Sequence, residues 1–347
     1  MERVVDLQAL NQVACKMVEP GRGILAADES SGTIKKRFDS IKIESTADKR
    51  RDYREMLFRT PKFGEHISGV ILYEETLRQN AVDGTPLVKV IEAAGAVPGI
   101  KVDKGTKPLP FCPDEVITEG LDGLGERLKE FYEIGARFAK WRAVIDIGRG
   151  GNRAIPSYAC VMANAHALAR YAALCQENQI VPIVEPEVLM DGDHNIDRCY
   201  QATELVLKMV FEQLYLQRVA LEGMVLKPNM VIAGKKCSKQ AGVEEAAEKT
   251  LKCLKACVPA LVPGIAFLSG GQSDEEATAH LNAMNAIGGG PWRLTFSYGR
   301  ALQAAPLKAW GGNNANNGKA QAAFGHRARM NGLASVGKWQ QALEKAA

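Results

Sequence analysis

Residues 138–188 read FAKWRAVIDIGRGGNRAIPSYACVMANAHALARYAALCQENQIVPIVEPEV. The stretch begins and ends with runs of strand length that are rich in β-branched and aromatic residues. Between them lies a long alanine-rich segment, 157–178, whose composition favours an α-helix. Two strands joined through a helix form a crossover, which is the connection that parallel neighbours in a sheet require.

The same alternation of strand and helix extends in both directions along the chain. The helical pattern at 273–287 opens with Ser273 and Glu276 at capping-box spacing. Further helical patterns occupy 121–135, 196–216 and 242–258. Short apolar runs suited to strands recur eight times, at 23–28, 67–73, 99–104, 138–147, 180–188, 223–231, 264–271 and 294–300.

Eight strands that alternate with helices predict an α/β fold, a single (β/α)8 TIM barrel. An open doubly wound sheet is the alternative, but no G-x-G-x-x-G follows the first strand to favour it. We expect one domain over 1–347, with the barrel at about 21–312 and a C-terminal helical region at 313–347. The N-terminal stretch 1–18 has the pattern of a short amphipathic helix, and GGNNANNGK at 311–319 is expected to join the barrel to the C-terminal helices.

Bulk composition narrows the class of partner. The net charge of +4 suits an anionic small molecule, but basic and acidic residues are interspersed, which argues against nucleic acid. No stretch reaches the roughly 20 apolar residues that span a membrane, and the N-terminus lacks the features of a signal peptide. The eight cysteines include no C-x-x-C and are expected to be reduced thiols. We therefore expect a cytoplasmic protein without membrane partners.

Charged and polar residues gather near the carboxyl ends of seven predicted strands, the end at which barrels carry their active sites. A single charge at a strand end is more often just solvated or salt-bridged, but seven strands with the same feature indicate a functional site. Three strands hold charged pairs at i, i+2 spacing, which places each pair on one face. The outer face packs on helices, so we expect these pairs to point into the barrel mouth: Lys101 with Asp103, Lys140 with Arg142 and Glu185 with Glu187. The other members are Asp28, Lys227, Ser269, Gly270, Gly271, Ser297, Tyr298, Gly299 and Arg300.

Lys227 lies in the apolar context MVLKPNM and is the candidate nucleophile. A lysine amine is protonated in water at neutral pH, and burial beside another cation, here Lys140, favours the neutral form that can attack a ketone. The resulting imine is an electron sink for carbon–carbon bond cleavage. Glu185 and Glu187 form a carboxylate pair suited to the proton transfers, although Glu187 has a purely structural role as its alternative, and Asp28 is suited to accept a hydroxyl proton.

The segments SGGQS and SYGR follow the seventh and eighth predicted strands, where barrels of this kind bind phosphate. Their glycines let backbone N–H groups approach an anion, and the N-terminus of the following helix adds positive potential. Arg300 is suited to bind a phosphate through two parallel hydrogen bonds.

A metal-dependent route to the same cleavage would require a histidine cluster. The five histidines are scattered without ligand spacing, so we expect neither a metal nor another cofactor: His66, His166, His194, His280 and His326.

Seven segments, in order, closely resemble those of class I fructose-bisphosphate aldolases: GILAADES, GIKVDKG, AKWR, VPIVEPE, LEGMVLKPNM, FLSGGQS and FSYGRALQ. The resemblance runs from about Gly21 to Gly312. It implies a lyase of glycolysis and gluconeogenesis that reversibly cleaves fructose 1,6-bisphosphate to dihydroxyacetone phosphate and glyceraldehyde 3-phosphate. It also implies a homotetramer.

The resemblance further implies roles for single residues. Lys227 corresponds to the Schiff-base lysine, Glu185 to the acid/base of imine formation, and Asp28 to the group that assists cleavage between C3 and C4. Lys140 corresponds to a contact of the substrate hydroxyls and Glu187 to a member of the charged network. The C1 phosphate site corresponds to Ser269, Gly270, Gly271, Ser297, Gly299 and Arg300, and the other phosphate site to Ser30, Thr33, Lys101 and Arg142, with Arg37 as a further phosphate contact.

Two regions depart from the commonest pattern of that family. The stretch GRGGNRAIPS at 148–157 has no clear counterpart. Many relatives also end in a tail with a terminal tyrosine that influences product release, and here no tyrosine follows Tyr298.

Two alternatives stay open at this point. One keeps the mechanism but changes the substrate to sedoheptulose 1,7-bisphosphate or fructose 1-phosphate. The other is a non-catalytic scaffold that binds phosphosugars or polyanions through Lys35, Lys36 and Arg37, although a scaffold has no need of a complete catalytic set.

Overall fold

The computed structural model describes residues 5–148 and 155–345. Eight parallel strands close into a barrel in the order β1, β10, β9, β8, β7, β6, β3 and β2. They are β1 (Gly23–Ala27), β2 (Ile67–Leu72), β3 (Val97–Lys101), β6 (Phe138–Ile145), β7 (Val181–Val188), β8 (Val225–Leu226), β9 (Gly264–Phe267) and β10 (Arg293–Tyr298). The predicted (β/α)8 barrel is therefore confirmed.

Helices connect the strands and surround the barrel. They are α1 (Leu7–Met17), α2 (Ser31–Ser40), α3 (Ala47–Phe58), α4 (Phe63–His66), α5 (Glu74–Arg78), α6 (Leu87–Ala93), α7 (Leu124–Ile134), α8 (Tyr158–Glu177), α9 (Ile196–Leu216), α10 (Val243–Cys257), α11 (Asp274–Ile287), α12 (Arg300–Trp310) and α13 (Asn317–Ala334). The predicted capping box of α11 is present, with Ser273 and Glu276 bonded reciprocally.

Every predicted strand overlaps one strand of the barrel. Three further details differ from prediction. The sixth is only two residues long, because Pro228 has no N–H to continue the ladder after Lys227. A two-stranded hairpin, β4 (Thr106–Pro108) with β5 (Val116–Thr118), follows β3 and was not predicted. The expected linker 311–319 is partly helical, because α13 already begins at Asn317.

The sequence also singled out the segment 148–157 and the C-terminal region. The segment 148–157 lies mostly outside the described residues. At the other end, a short 3₁₀ turn at Gln341–Lys345 follows α13. The single domain over 1–347, with a boundary at about residue 312 between the barrel and the C-terminal helical region, stays a prediction.

The interior of the barrel is apolar at the amino ends of the strands. Ile24, Phe138, Ile183 and Val225 face inward there and pack with α1, whose buried residues include Leu10, Ala14 and Met17. Helix α1 thus closes the amino end of the barrel. A larger apolar layer lies between the barrel and the surrounding helices.

Phe138 fills this interior only because its neighbours lack side chains. A Cβ added at Gly99 would lie 2.3 Å from the Phe138 ring, and one at Gly69 would lie 3.1 Å from it. Both distances are shorter than ordinary van der Waals contact, so the ring position depends on these two glycines.

Within residues 5–148 and 155–345, no helix combines the length and the apolar content needed to cross a membrane. The same part of the chain holds no group of three or more His, Cys, Asp or Glu side chains arranged to bind a metal ion. Each of the eight cysteines is a free thiol.

We expect Gly99→Ala to lower the free energy of unfolding by about 1–3 kcal/mol, because the new methyl group overpacks the barrel against Phe138. The measurement is urea unfolding followed by circular dichroism. Gly318→Ala in α13 is the control, since a Cβ there meets nothing within 4 Å. A Gly99→Ala protein as stable as the parent would contradict the packing described for Phe138.

Candidate active site

The inward faces of the barrel strands carry charged side chains at their carboxyl ends, whereas the same faces are apolar at the amino ends. Lys140 and Arg142 continue the inward face of β6 that begins with Phe138, and Glu185 and Glu187 continue that of β7. In register, Arg142 lies beside Glu185 on the neighbouring strand. The predicted inward orientation of these pairs follows from the alternation of side chains along a strand.

Four of these residues form a chain of contacts across the barrel mouth. The Lys140 amine lies 3.0 Å from Asp28 and 3.1 Å from Glu185, and the Lys227 amine lies 3.3 Å from the other oxygen of Glu185. Lys140, Glu185 and Lys227 are each at most 4% exposed. Glu185 therefore bridges two buried amines.

These contacts fix the charge states of Asp28 and Lys140. Burial alone would raise the pKa of the Asp28 carboxyl, but the amines of Lys140 and Lys227 outweigh it and hold this pKa well below its usual range. Burial likewise opposes the charge of Lys140, yet Asp28 and Glu185 raise the pKa of its amine far above the ordinary value. Lys140 thus stays protonated and has no lone pair with which to attack a carbonyl.

The backbone around Lys227 is held from both sides. Its N–H donates to the carbonyl of Val184 at 2.8 Å, which extends the ladder between β7 and β8 by one residue. Two residues later, the buried side chain of Asn229 accepts from the N–H of Val188 at 3.0 Å and donates to Thr203 on α9 at 3.0 Å. Hydrogen bonds on both sides therefore hold the backbone of Lys227, the candidate nucleophile, in place at the end of β8.

A second group of charges lies on β3, β6 and β7. Arg142 and Glu187 form a close ion pair, and the backbone N–H of Arg142 donates to Asp103 at 3.4 Å. Asp103 also lies 3.4 Å from the Lys101 amine. Although burial opposes it, Glu187 raises the pKa of Arg142 above its ordinary value, so the guanidinium stays charged.

One predicted phosphate site lies where β9 and β10 end. The turn Ser269-Gly270-Gly271 follows β9, and Gly299 is the N-cap residue of α12. Ser297 is buried, and its hydroxyl has no hydrogen-bond partner in the described part of the chain. The structure thus supplies an unused hydroxyl beside a helix N-terminus, which is a favourable place for an anion.

Arg300, which was predicted to bind a phosphate, is exposed at the first residue of α12 and has no ion pair within 4.0 Å among the described residues. Arg37 is closer to this site than its sequence position suggests, because a Cβ added at Gly299 would lie 3.5 Å from its guanidinium.

The other predicted phosphate residues, Ser30 and Thr33, lie together at the start of α2. Ser30 is the N-cap, its hydroxyl accepts from the N–H of Thr33, and the two hydroxyls are 3.1 Å apart. They follow Asp28 by two and five residues, so the N-terminus of α2 opens beside the charged mouth.

Glu29 is a buried carboxylate that the sequence analysis did not single out. It lies 2.6 Å from the Arg37 guanidinium and 3.7 Å from Arg54, and it accepts from the Gln303 amide at 2.8 Å. Glu29 therefore ties α2, α3 and α12 together behind Asp28. The only sequence feature that could have pointed to Glu29 is its position in the AADES segment, directly after a strand. Such a position does not reveal that the partners of the residue come from three helices.

Comparison with known proteins now adds to this geometry. A family model described as fructose-bisphosphate aldolase class-I matches residues 9–347. The chain belongs to the class-I fructose-bisphosphate aldolase family. The family resemblance seen in the seven segments is confirmed.

Individual relatives of this aldolase agree with the assignment. A probable class 1 fructose-bisphosphate aldolase of Xanthomonas campestris is 57% identical over 97% of this chain and 100% of its own. Fructose-bisphosphate aldolase 4, cytosolic, of Arabidopsis thaliana is 53% identical over 92% of this chain and 81% of its own. The fructose-bisphosphate aldolase of Plasmodium falciparum, solved in complex with TRAP and a small-molecule inhibitor, is 49% identical with a TM-score of 0.94 and covers 96% of both chains.

We expect Glu29→Gln to lower the free energy of unfolding by about 3–5 kcal/mol, because it removes a buried carboxylate that pairs with Arg37 at 2.6 Å and leaves the buried guanidinium of Arg54 with Glu75, at 3.8 Å, as its remaining ion-pair partner. Urea unfolding measures the change. Asp39→Asn removes the same charge from an exposed pair with Lys35 and should cost less than about 1 kcal/mol. Equal effects of the two substitutions would contradict a structural role for Glu29.

Proposed function

We propose that the chain catalyses the reversible cleavage of fructose 1,6-bisphosphate to dihydroxyacetone phosphate and glyceraldehyde 3-phosphate through a Schiff base on Lys227. Membership of the class-I aldolase family supports the reaction. The observation that carries the mechanism is the buried chain of contacts from Lys227 through Glu185 and Lys140 to Asp28. It joins a nucleophile, a proton carrier, a fixed cation and a carboxylate in one cavity.

The first step is attack of the neutral Lys227 amine on the C2 ketone. Glu185, 3.3 Å from that amine, would first take a proton from the Lys227 ammonium and pass it to the ketone oxygen during the attack. It would then carry a second proton from the nitrogen to the resulting hydroxyl, so that water leaves, a cationic imine remains and Glu185 returns to its starting form. Lys140 stays charged and therefore does not compete as a nucleophile. Its ammonium instead lies between Asp28 at 3.0 Å and Glu185 at 3.1 Å.

In the second step the C3–C4 bond breaks. Asp28, held as a carboxylate, takes the proton of the C4 hydroxyl, the aldehyde product forms, and the bond's electrons pass into the iminium to give an enamine. Protonation at C3 and hydrolysis of the imine then release dihydroxyacetone phosphate and restore the amine. Lys140, in contact with Asp28 at 3.0 Å, is placed to donate to the substrate hydroxyls.

Two anion sites flank this centre in the proposal. The C1 phosphate would bind the Ser269-Gly270-Gly271 turn and the start of α12, with Ser297, Gly299 and Arg300. The other phosphate would bind Ser30 and Thr33 at the start of α2, with Lys101 and Arg142. Arg37 adds a phosphate contact on the Gly299 side, and Glu187 holds Arg142 in place.

Dihydroxyacetone phosphate with excess chelator, followed by borohydride, should leave one stable adduct on Lys227, because borohydride reduces an imine to a secondary amine. Peptide mass spectrometry locates the adduct. Lys227→Ala should give neither adduct nor cleavage. Folded parent protein that forms no adduct would overturn the Schiff-base proposal and favour a non-catalytic role.

Asp28→Asn, tested in the same experiment, separates imine formation from cleavage of the C3–C4 bond. It keeps the shape of the side chain and removes the proton acceptor, so the Lys227 adduct should persist while cleavage of fructose 1,6-bisphosphate falls by about 10²–10⁴-fold. The ratio of kcat/KM for fructose 1,6-bisphosphate, fructose 1-phosphate and sedoheptulose 1,7-bisphosphate then ranks the substrates.

We also propose a cytoplasmic homotetramer. Free thiols are typical of reducing compartments, and the Arabidopsis relative is named as cytosolic. Helix α9 exposes large apolar side chains that suit subunit contact: Leu205 is 43% exposed, Tyr215 81% and Leu216 59%. Leu205 and Leu216 are eleven residues apart, about three helical turns, and so share one face.

Light scattering after gel filtration should give a mass near four times the 37.6 kDa of one chain. Leu216→Glu should lower that mass, because a charge on α9 opposes apolar contact between subunits. Val82→Glu changes an apolar residue elsewhere that is more exposed than Leu216 and should leave the mass unchanged. A monomeric parent protein would overturn the tetramer.

A further inference from the structure

The loop after β8 is bonded firmly to the loop after β7. The N–H groups of Gly234, Lys235 and Lys236 donate to the carbonyls of His194, Met190 and Gly192 at 2.8, 2.9 and 3.0 Å. Three consecutive backbone bonds leave this segment little freedom. The side chain of Lys235 therefore starts from a fixed position at the carboxyl end of the barrel.

The Lys235 side chain lies near Gly271 of the Ser269-Gly270-Gly271 turn. A Cβ added at Gly271 would lie 3.6 Å from Cε of Lys235 and 2.7 Å from Cβ of Met190, and Gly271 has a φ of +83°. Glycine is thus required here both by the backbone conformation and by the close approach of Met190. The Lys235 ammonium is one bond beyond a carbon that already lies against the turn.

The resting partner of Lys235 is easily replaced. Its ammonium lies 3.0 Å from Asp191, and the two side chains are 44% and 51% exposed. Exposed ion pairs of this kind contribute little net free energy, so the amine can change partner at low cost. A phosphate monoester carries a charge of about −1.5 to −2 at neutral pH, more than one carboxylate, and attracts the amine more strongly.

The other cations near this turn do not duplicate that position. Arg37 is paired with the buried Glu29. Arg300 is the first residue of α12, the helix that follows β10. The turn itself offers neutral donors, namely its N–H groups and the Ser269 hydroxyl. Lys235 is a cation whose Cε would lie 3.6 Å from a Cβ added at Gly271.

We infer that Lys235 is a further phosphate-binding residue, which leaves Asp191 and contacts the substrate phosphate bound at the Ser269-Gly270-Gly271 turn. The inference rests on the proposed function. Its ligand class is a phosphate ester on the ketone side of the sugar, the part that remains as dihydroxyacetone phosphate after cleavage. Lys235 acts on binding and not on the bond that breaks.

The test compares four variants with the parent: Lys235→Met, Asp191→Asn, the double variant and Lys236→Met. Lys235→Met should raise KM for fructose 1,6-bisphosphate about fivefold with kcat unchanged, because it removes binding that is equal in ground and transition states. Asp191→Asn should lower KM, because Lys235 is then free from the start. The double variant should match Lys235→Met, since Asp191 acts only through the amine.

Lys236→Met is the matched control. Lys236 is exposed and follows Lys235 by one residue, so its substitution removes the same charge from almost the same place in the chain. KM should then change by less than about twofold. The rise in KM caused by Lys235→Met should shrink in high salt, where charges are screened. An equal change for Lys235→Met and Lys236→Met would overturn a specific contact and leave only general electrostatic attraction.

Fructose 1-phosphate identifies which phosphate is involved. Lys235→Met should raise KM for it by the same factor as for fructose 1,6-bisphosphate, because both carry the C1 phosphate. A change confined to the bisphosphate would mean that Lys235 serves the other phosphate, and that result would overturn the inference.

Direct binding separates this inference from the proposed function. Titration calorimetry with dihydroxyacetone phosphate should show about fivefold weaker binding to Lys235→Met than to the parent, whether or not the parent cleaves sugars. A parent that binds this ligand but has no turnover would refute the proposed reaction alone. Equal affinity of the parent and Lys235→Met would refute the role of Lys235 alone.

Discussion

The carboxylate of Glu185 contacts the amines of both Lys140 and Lys227 inside a closed barrel. A buried charge is tolerated only when it is paired, so each of the three side chains depends on the other two. Asp28 completes the set by balancing the second positive charge. Because the four groups come from four different strand ends, their charge balance also holds the carboxyl end of the barrel in one arrangement. Chemistry and architecture thus rest on the same contacts.

The barrel makes this arrangement possible through the alternation of side chains along its strands. The inward face of β6 passes from Phe138 to Lys140 and then to Arg142, and that of β7 passes from Ile183 to Glu185. The lower part of the interior is filled and apolar, which fixes strand register and excludes water. The carboxyl ends of the same strands keep that register, so their charged side chains lie at defined distances from one another. A one-residue shift of one strand would turn its charged side chains toward the surrounding helices.

Much of the fold and the centre of the site were predictable from the sequence. The eight apolar runs located all eight barrel strands, and the i, i+2 spacing of charges on three of them predicted their shared inward face. What escaped prediction depends on contacts between distant segments. The partners of Glu29 come from three helices, the exposed position of Arg300 depends on where α12 begins, and the hairpin at Thr106–Pro108 has no strong strand pattern. Local sequence carries periodicity and spacing, whereas these features are set by tertiary contacts.

Helix α1 gives the barrel a floor. Leu10 and Met17 pack under the strands together with the ring of Phe138, so apolar side chains fill the amino end of the barrel and the charged groups lie at the other end. In the proposed reaction, sugar and both fragments would therefore pass through the carboxyl end of the barrel. The fragment bound to Lys227 would stay inside while the aldehyde leaves through the same opening, so entry, exit and chemistry would share one end of the fold.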